Sequence, residues 1–212
     1  MIPLAKSEDP KNYKHALEVA RENLIQKDPL EVENKAGVIW DGEKYIIKSF
    51  NEELMVYPKE GKVYLASKEK LVVFTLQLIC INYLARAGGE NLTYENISYR
   101  ELPGAESYWL AFNREAISPL LKAYEKDKTN FIDVCSKLGG IKQEGKADYS
   151  AVFWALPKVP LVINLWEGDD EIPGNCNILF DKVTPDYLHT EDAAAIGQLI
   201  AEIIYKEVLN CA

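Results

Sequence analysis

The pattern of apolar positions at the start of the chain predicts two helices. Apolar residues recur at helical spacing up to about Lys27. Asp9-Pro10 before them is a typical helix start, because aspartate caps free N–H groups and proline fits the first helical position. Asp28-Pro29 repeats this start, and Gly37 is a typical stop, so the second predicted helix is short and ends before Gly37.

After residue 37 the pattern becomes that of strands joined by tight turns. Asp41-Gly42 and Glu60-Gly61 are turn sequences between apolar, β-branched and aromatic segments. The segments on either side of these turns are expected to pair as a small antiparallel meander. Its predicted strands are residues 38–40, 44–50, 53–57 and 62–66.

The middle of the chain is predicted to be mainly helical. Ser67 is a typical cap for a long helix over residues 68–87, and the apolar positions of this helix cover nearly every face, so it is expected to lie centrally. Residues 99–102 are predicted to be extended. Two further helices are expected at residues 118–125 and 130–138.

The strongest strand pattern comes in the last third of the chain. Residues 149–156 and 159–166 are apolar, β-branched and aromatic, and a third strand is predicted at residues 177–181. Pro157 and Pro160 have no N–H group to donate, so they are expected to interrupt the pairing between the first two strands.

A final helix over residues 191–209, capped by Thr190, completes a predicted α+β fold. In this fold an N-terminal helix and an antiparallel meander are followed by central helices, and C-terminal antiparallel strands are closed by the last helix. A chain of 212 residues suits a single domain, 1–212, with residues 1–66 and 67–212 as its subdivision.

Composition and charge narrow the classes of function. The 33 acidic and 24 basic residues give a net charge of −9. This balance argues against nucleic acid or an anionic membrane as the partner, since both attract clusters of lysine and arginine. Most of the excess lies in residues 161–212, which hold ten acidic residues but only Lys182 and Lys206 as basic ones.

The apolar runs and the cysteines indicate the compartment. The sequence contains neither a secretory signal nor a run long enough to span a membrane, so a cytoplasmic location is predicted. The four cysteines have no metal-binding spacing, and Cys80, Cys135 and Cys176 are expected to be buried core residues.

An acidic segment directly after a predicted buried strand is the sharpest local feature. Four carboxylates lie within five residues here, and such a cluster is unfavourable unless a cation or donor groups neutralise it. One interpretation is a divalent-cation site, and the other is a solvated loop. The residues proposed as metal ligands are Asp169, Asp170, Glu171 and Asp181.

A small-molecule site is the second candidate. His189, next to Glu191 and Asp192, is interpreted either as a general base or metal ligand held by a carboxylate, or as an ordinary surface histidine. Motifs of named chemistries, such as GxSxG, HExxH and phosphate-binding glycine loops, are absent from the sequence. The residues expected to contact a ligand are Trp166, Asn177, Tyr187 and His189.

Several stretches of the chain resemble one known family. They are FWALPKVP at 153–160, LWEGDDE at 165–171, NILFD at 177–181 and YLHTEDA at 187–193, with upstream matches at Asp28-Pro29, Ala36-Gly37 and YRELPG at 99–104. Together they cover most of the chain and resemble the DUF3786 family of uncharacterised proteins from anaerobic bacteria and archaea. The resemblance implies a link to anaerobic one-carbon or corrinoid metabolism. The chain differs from the family pattern at His189, where proline is expected, and at Ile172, where phenylalanine is usual, which argues against a shared catalytic role for His189.

The predicted function is that of a cytoplasmic small-molecule- or metal-binding accessory protein. One alternative is a metal-dependent enzyme in which the Asp/Glu cluster activates water through a bound cation. The other is an acidic domain that docks on a basic protein partner. The cofactor is left open between a divalent cation and a corrinoid or another tetrapyrrole.

Overall fold

Helices pack around two antiparallel sheets, which confirms the predicted α+β class. The computed structural model describes residues 1–5 and 14–210, so the predicted helix start at Asp9-Pro10 lies outside the described residues. The helices are α1 (Lys14–Ile25), α2 (Pro29–Ala36), α3 (Phe74–Arg86), α4 (Trp109–Phe112), α5 (Ser118–Lys126), α6 (Lys128–Lys137) and α7 (Thr190–Asn210).

The strands of the described chain form two sheets. The first sheet is the predicted meander, with neighbouring strands in chain order. Its strands are β1 (Ile39–Trp40), β2 (Tyr45–Ser49), β3 (Glu52–Tyr57), β4 (Lys62–Leu65) and β5 (Lys70–Leu71). The strands of the second sheet are β6 (Asn96–Ser98), β7 (Ile141–Lys142), β8 (Tyr149–Leu156), β9 (Val159–Trp166) and β10 (Asn175–Asp181). Their order in the second sheet is β6-β10-β9-β8-β7.

The long central helix begins later than predicted. Ser67 lies in a turn and does not cap it, and α3 starts only at Phe74. The residues between them belong to the first sheet, because Lys70 pairs with Leu65 and Val72 forms a bridge with Leu4. The pairing of this segment with the sheet and the N-terminus therefore replaces the helical turns that its apolar pattern predicted.

Two further local predictions were wrong. The extended segment lies at β6, and residues 99–101 form a 3₁₀ turn after it. Thr190 is the first residue of α7 and not its cap, since its hydroxyl donates to the Pro103 carbonyl at 2.7 Å. His189 precedes the helix instead, and its carbonyl accepts the first helical hydrogen bond, from Ala193 N–H at 2.9 Å.

The helix predicted from residue 118 is part of a longer helical segment. Helix α4 and a π-helical turn, Asn113–Ile117, run directly into α5. Phe112 at the end of α4 packs against α7 at Gly197, where an added Cβ would lie 2.8 Å from the Phe112 ring. The last helix thus packs closely along the central helical segment.

A buried tyrosine ties the start of the chain to the second sheet. The hydroxyl of Tyr83, on α3, donates to the carbonyl of Ala36 at 2.5 Å and accepts from the backbone N–H of Lys158 at 3.1 Å. Gly37, next to Ala36, ends α2 as predicted, in a left-handed conformation with φ 66°. Tyr83 therefore joins the end of α2 to the β8–β9 turn.

The two sheets are also joined by a backbone hydrogen bond. The ladder between β8 and β9 is irregular between Trp154 and Leu156, opposite Pro160, as the prolines predict. The Trp154 carbonyl accepts from the backbone N–H of Phe50, after β2, at 2.7 Å. Because Pro160 has no N–H to offer, this carbonyl is available to the neighbouring sheet.

Three of the four cysteines lie in the core of the described chain. Cys80, Cys135 and Cys176 are buried, as expected, while Cys211 lies outside the described residues. Within the described chain, every helix is too short or too polar to cross a membrane.

Candidate functional site

A polar groove of about 460 Å³ lies where the C-terminal ends of α1 and α3 meet the N-terminus of α7. His189 is the predicted ligand-contacting residue that the structure places in this groove. The polar side chains that line it are Asn23, Gln26, Lys27, Asn82, Arg86 and His189.

Local structure brings these side chains to a common surface. Asn82 and Arg86 are four residues apart near the end of α3, so they lie on one face of that helix. The backbone N–H of Lys27 donates to the Leu24 carbonyl at 3.1 Å, in the turn that ends α1. His189 completes the groove as the residue that precedes α7.

A buried carboxylate lies behind the groove. The side chain of Asp192, which is 6% exposed, accepts from the amide of Asn82 at 3.1 Å through each of its oxygens. Burial raises the pKa of the Asp192 carboxyl above its ordinary value, although the Asn82 hydrogen bond and the charge and backbone N–H of His189 act in the opposite direction. The pair fixes the position of the Asn82 amide in the groove wall.

The arginine of the groove is also held in place. Arg86 donates through Nε and Nη2 to the carbonyl of Pro185, at 3.2 and 3.0 Å. This contact places the guanidinium beside the turn that leads into α7. The groove therefore contains a cation whose position is set by the backbone.

The acidic loop after Trp166 is exposed and hydrogen-bonded within itself. The carboxylate of Asp169 accepts from the backbone N–H groups of Glu171 and Ile172, at 2.9 and 2.8 Å. These bonds hold the pKa of the Asp169 carboxyl below its ordinary value. Asp170 and Glu171 are exposed on the same loop, so the cluster has the form of a turn capped by its first carboxylate.

Asp181 is a different kind of carboxylate, buried to 1% exposure at the other end of β10. It accepts from the N–H and hydroxyl of Thr93 at 3.1 and 2.7 Å, from Tyr94 N–H at 2.7 Å and from Val183 N–H at 2.9 Å. Burial acts to raise the pKa of Asp181, but these hydrogen bonds outweigh it and the pKa is lowered.

The structure does not bring the four predicted metal ligands together. Six residue steps along β10 separate Asn175, next to the acidic loop, from Asp181, a distance of about 20 Å in an extended strand. Among the described residues, no group of three or more His, Cys, Asp or Glu side chains is arranged to hold a metal ion.

The other predicted ligand contacts are dispersed as well. Trp166 is half-buried at the end of β9, and Asn177 accepts from the Asn164 amide at 3.0 Å within the second sheet. Tyr187 is buried and donates to the Glu90 carbonyl. Asn177 and Tyr187 bind neighbouring groups of the fold, and none of the three side chains is among the residues that line the groove.

Sequence reasoning missed the other residues of the groove. Asn82 and Arg86 interrupt a largely apolar helix at a spacing of four, and this pattern was a usable signal. Asn23 and Lys27 offered no comparable signal, because polar residues on an exposed helix face are ordinary.

Comparison of the sequence with known protein families gives a match, which covers most of the chain. The sequence profile of a family described as "Domain of unknown function (DUF3786)" matches residues 28–203. The chain belongs to the DUF3786 family. No curated protein and no solved structure matches it with significance. The DUF3786 match includes the α3 wall of the groove and His189, whereas α1 precedes the matched range.

Proposed function

We propose that this DUF3786 protein is a cytoplasmic accessory protein that binds a small molecule in the groove between α1, α3 and α7. The observation that carries the proposal is a groove of about 460 Å³, lined by amide and cationic side chains from the end of α1 and from α3, with His189 directly before α7. Sites for drug-sized ligands have volumes of about 300–1,000 Å³. The volume of the groove therefore suits a small metabolite.

The groove walls are held in position before any ligand arrives. Arg86 is fixed by the Pro185 carbonyl, and Asn82 is fixed by the carboxylate of Asp192. Side chains that are already ordered lose less conformational entropy on binding, so such contacts favour recognition.

The alternative functions receive less support from the geometry. The enzyme alternative requires the acidic loop and Asp181 to hold one cation that activates water, but Asp181 is far from the loop, and among the described residues no group of three or more His, Cys, Asp or Glu side chains is arranged to hold a metal ion. Docking of the acidic surface on a basic protein stays a prediction.

Binding is best tested by NMR on ¹⁵N-labelled protein with a panel of sugars, nucleosides, amino acids, carboxylic acids and phosphate esters. We expect at least one compound to shift the backbone signal of His189 and the side-chain amide signal of Asn82. The variant His189→Ala should weaken this binding, because its side chain lines the groove.

The other histidine provides a matched control. His15 is exposed on α1 and is not among the groove residues, so His15→Ala should bind as the wild type does. The proposal fails if no compound shifts the groove signals, or if His189→Ala and His15→Ala bind the compound equally well.

A further inference from the structure

The groove side chains offer mainly hydrogen-bond donors. Lys27 and Arg86 carry donors and no acceptor, and the ring of His189 has at least one N–H donor. The carboxamides of Asn23, Gln26 and Asn82 can donate or accept. Among the described residues, no acidic side chain lines the groove. A ligand rich in acceptor oxygens would match this surface.

The buried carboxylate behind the groove is hydrogen-bonded to the groove wall. Both oxygens of Asp192 accept from Asn82, and its side chain is almost fully buried. Among the described residues, no carboxylate lies within ion-pair distance of Lys27 or Arg86, so both cations are available to a ligand.

This local charge is opposite to that of the whole chain. The net charge is −9, and most of the excess lies in the last quarter of the sequence, which includes α7. The cations of the groove, Lys27 after α1 and Arg86 on α3, come near α7 only in the folded chain. The groove is thus a donor-rich site on an acidic protein. Such a site favours anionic ligands over neutral ones.

The free donors of the groove lie on three separate side chains. The Nε and Nη2 atoms of Arg86 bind Pro185, which occupies the side edge of the guanidinium. Nη1 and the second hydrogen of Nη2 remain for a ligand, together with the ammonium of Lys27 and the ring of His189. Donors on three separate side chains match the three terminal oxygens of a phosphate group better than the two oxygens of a planar carboxylate.

Resting on the proposed function, we infer that the groove binds a phosphate monoester of a small polar metabolite. The phosphate oxygens accept from Lys27, Arg86 and His189. The side-chain carboxamides of the groove bind the hydroxyl groups of the rest of the metabolite.

The experiment uses glycerol 3-phosphate, inorganic phosphate, succinate and glycerol as probes, followed by NMR and calorimetry. We expect glycerol 3-phosphate to bind more tightly than succinate and to shift the signals of His189 and Asn82. Lys27→Gln and Arg86→Gln should each weaken this binding about tenfold, the equivalent of one charge-assisted hydrogen bond. Lys27 is exposed, so its variant remains informative if Arg86→Gln disturbs the fold.

A lysine outside the groove separates specific from general charge effects. Lys126 is exposed at the end of α5, and Lys126→Gln should leave binding unchanged. Equal weakening by Lys126→Gln, or binding of succinate as tight as that of glycerol 3-phosphate, would overturn the inference. If only neutral compounds bind and His189→Ala weakens them, the inference fails while the proposed function stands. If nothing shifts the groove signals, both fail.

Discussion

The side-chain amide of Asn82 donates to both carboxylate oxygens of Asp192, 110 positions further along the chain, at 3.1 Å each. The pair joins α3 to the first turn of α7 directly behind the groove. Because burial raises the pKa of Asp192, the folded chain holds this proton more tightly than the unfolded chain does.

Asp192→Asn is therefore expected to change how stability depends on pH. Between the ordinary pKa of aspartate, about 4, and the raised value, the folded wild type binds more protons than the unfolded chain. Its free energy of unfolding then falls as the pH rises through this window. The variant has no carboxyl at this position, so its free energy of unfolding lacks this decrease. As the pH rises through the window, the variant should therefore become more stable relative to the wild type. Urea denaturation of both proteins at a series of pH values measures the free energy of unfolding. If it depends on pH in the same way in both proteins, the prediction is contradicted.

Asp181→Asn should destabilise the fold strongly, by about 3 kcal/mol, since an amide cannot accept all the hydrogen bonds that the carboxylate accepts. Because the pKa of Asp181 is lowered, its contribution is present above the ordinary pKa of aspartate and is lost as the pH falls through the folded value. The exposed Asp170 provides the control, and Asp170→Asn should stay within about 0.5 kcal/mol of the wild type. Equal stabilities of the two variants at neutral pH would show that Asp181 has no such role.

Tyr83→Phe removes one hydroxyl and leaves the buried Ala36 carbonyl and the partly buried Lys158 N–H without that partner. We expect a loss of about 2 to 4 kcal/mol in the free energy of unfolding, since an unsatisfied buried group costs about 1–3 kcal/mol and a partly buried one costs less. Thermal and urea denaturation measure it. Tyr94, whose side chain is 81% exposed, allows the same change at the surface, and a comparable loss in Tyr94→Phe would argue against the bridging role of Tyr83.

The buried thiols are expected to be unreactive in the folded protein. Burial raises the pKa of Cys80, Cys135 and Cys176, to about 12 for Cys135, so little thiolate forms at neutral pH. In a Cys211→Ser variant, a thiol reagent such as DTNB should show no rapid phase until denaturant is added, after which three thiols react. Rapid native modification of any of the three would place that side chain nearer to solvent than the structure does.

Divalent cations should not stabilise the protein through the acidic loop. Asp169 Oδ1 already accepts two backbone N–H groups, and the neighbouring carboxylates are exposed. We expect millimolar Mg²⁺, Ca²⁺ or Mn²⁺ to leave the melting temperature essentially unchanged. A large increase that disappears in the double variant Asp170→Asn with Glu171→Gln would instead identify the loop as a metal site.

Local patterns predicted most elements, and long-range pairing explains the exceptions. The short α2 was predicted correctly because its start and stop are encoded by adjacent residues, Asp28-Pro29 and Gly37. The segment after Ser67 was misassigned because its pairing with β4 and with Leu4 depends on residues elsewhere in the chain.

The candidate site was harder to predict for the same reason. His189 was identified from its position before a helix, but its neighbours in the groove come from α1 and α3. Spacing along a sequence does not show which helix ends meet in space. Asp181 illustrates the opposite error, since its nearness in sequence to the acidic loop suggested a shared site, while the length of β10 separates them.

The bonds from Phe50 to Trp154 and from Tyr83 to Ala36 both cross the subdivision predicted after residue 66. Neither piece of the chain keeps these contacts by itself. Fragments made by cutting the polypeptide at that point should stay largely unstructured alone and regain native spectra only when mixed. Heating the intact protein should give one cooperative transition instead of two, since each half contributes hydrogen-bonding groups that the other half buries.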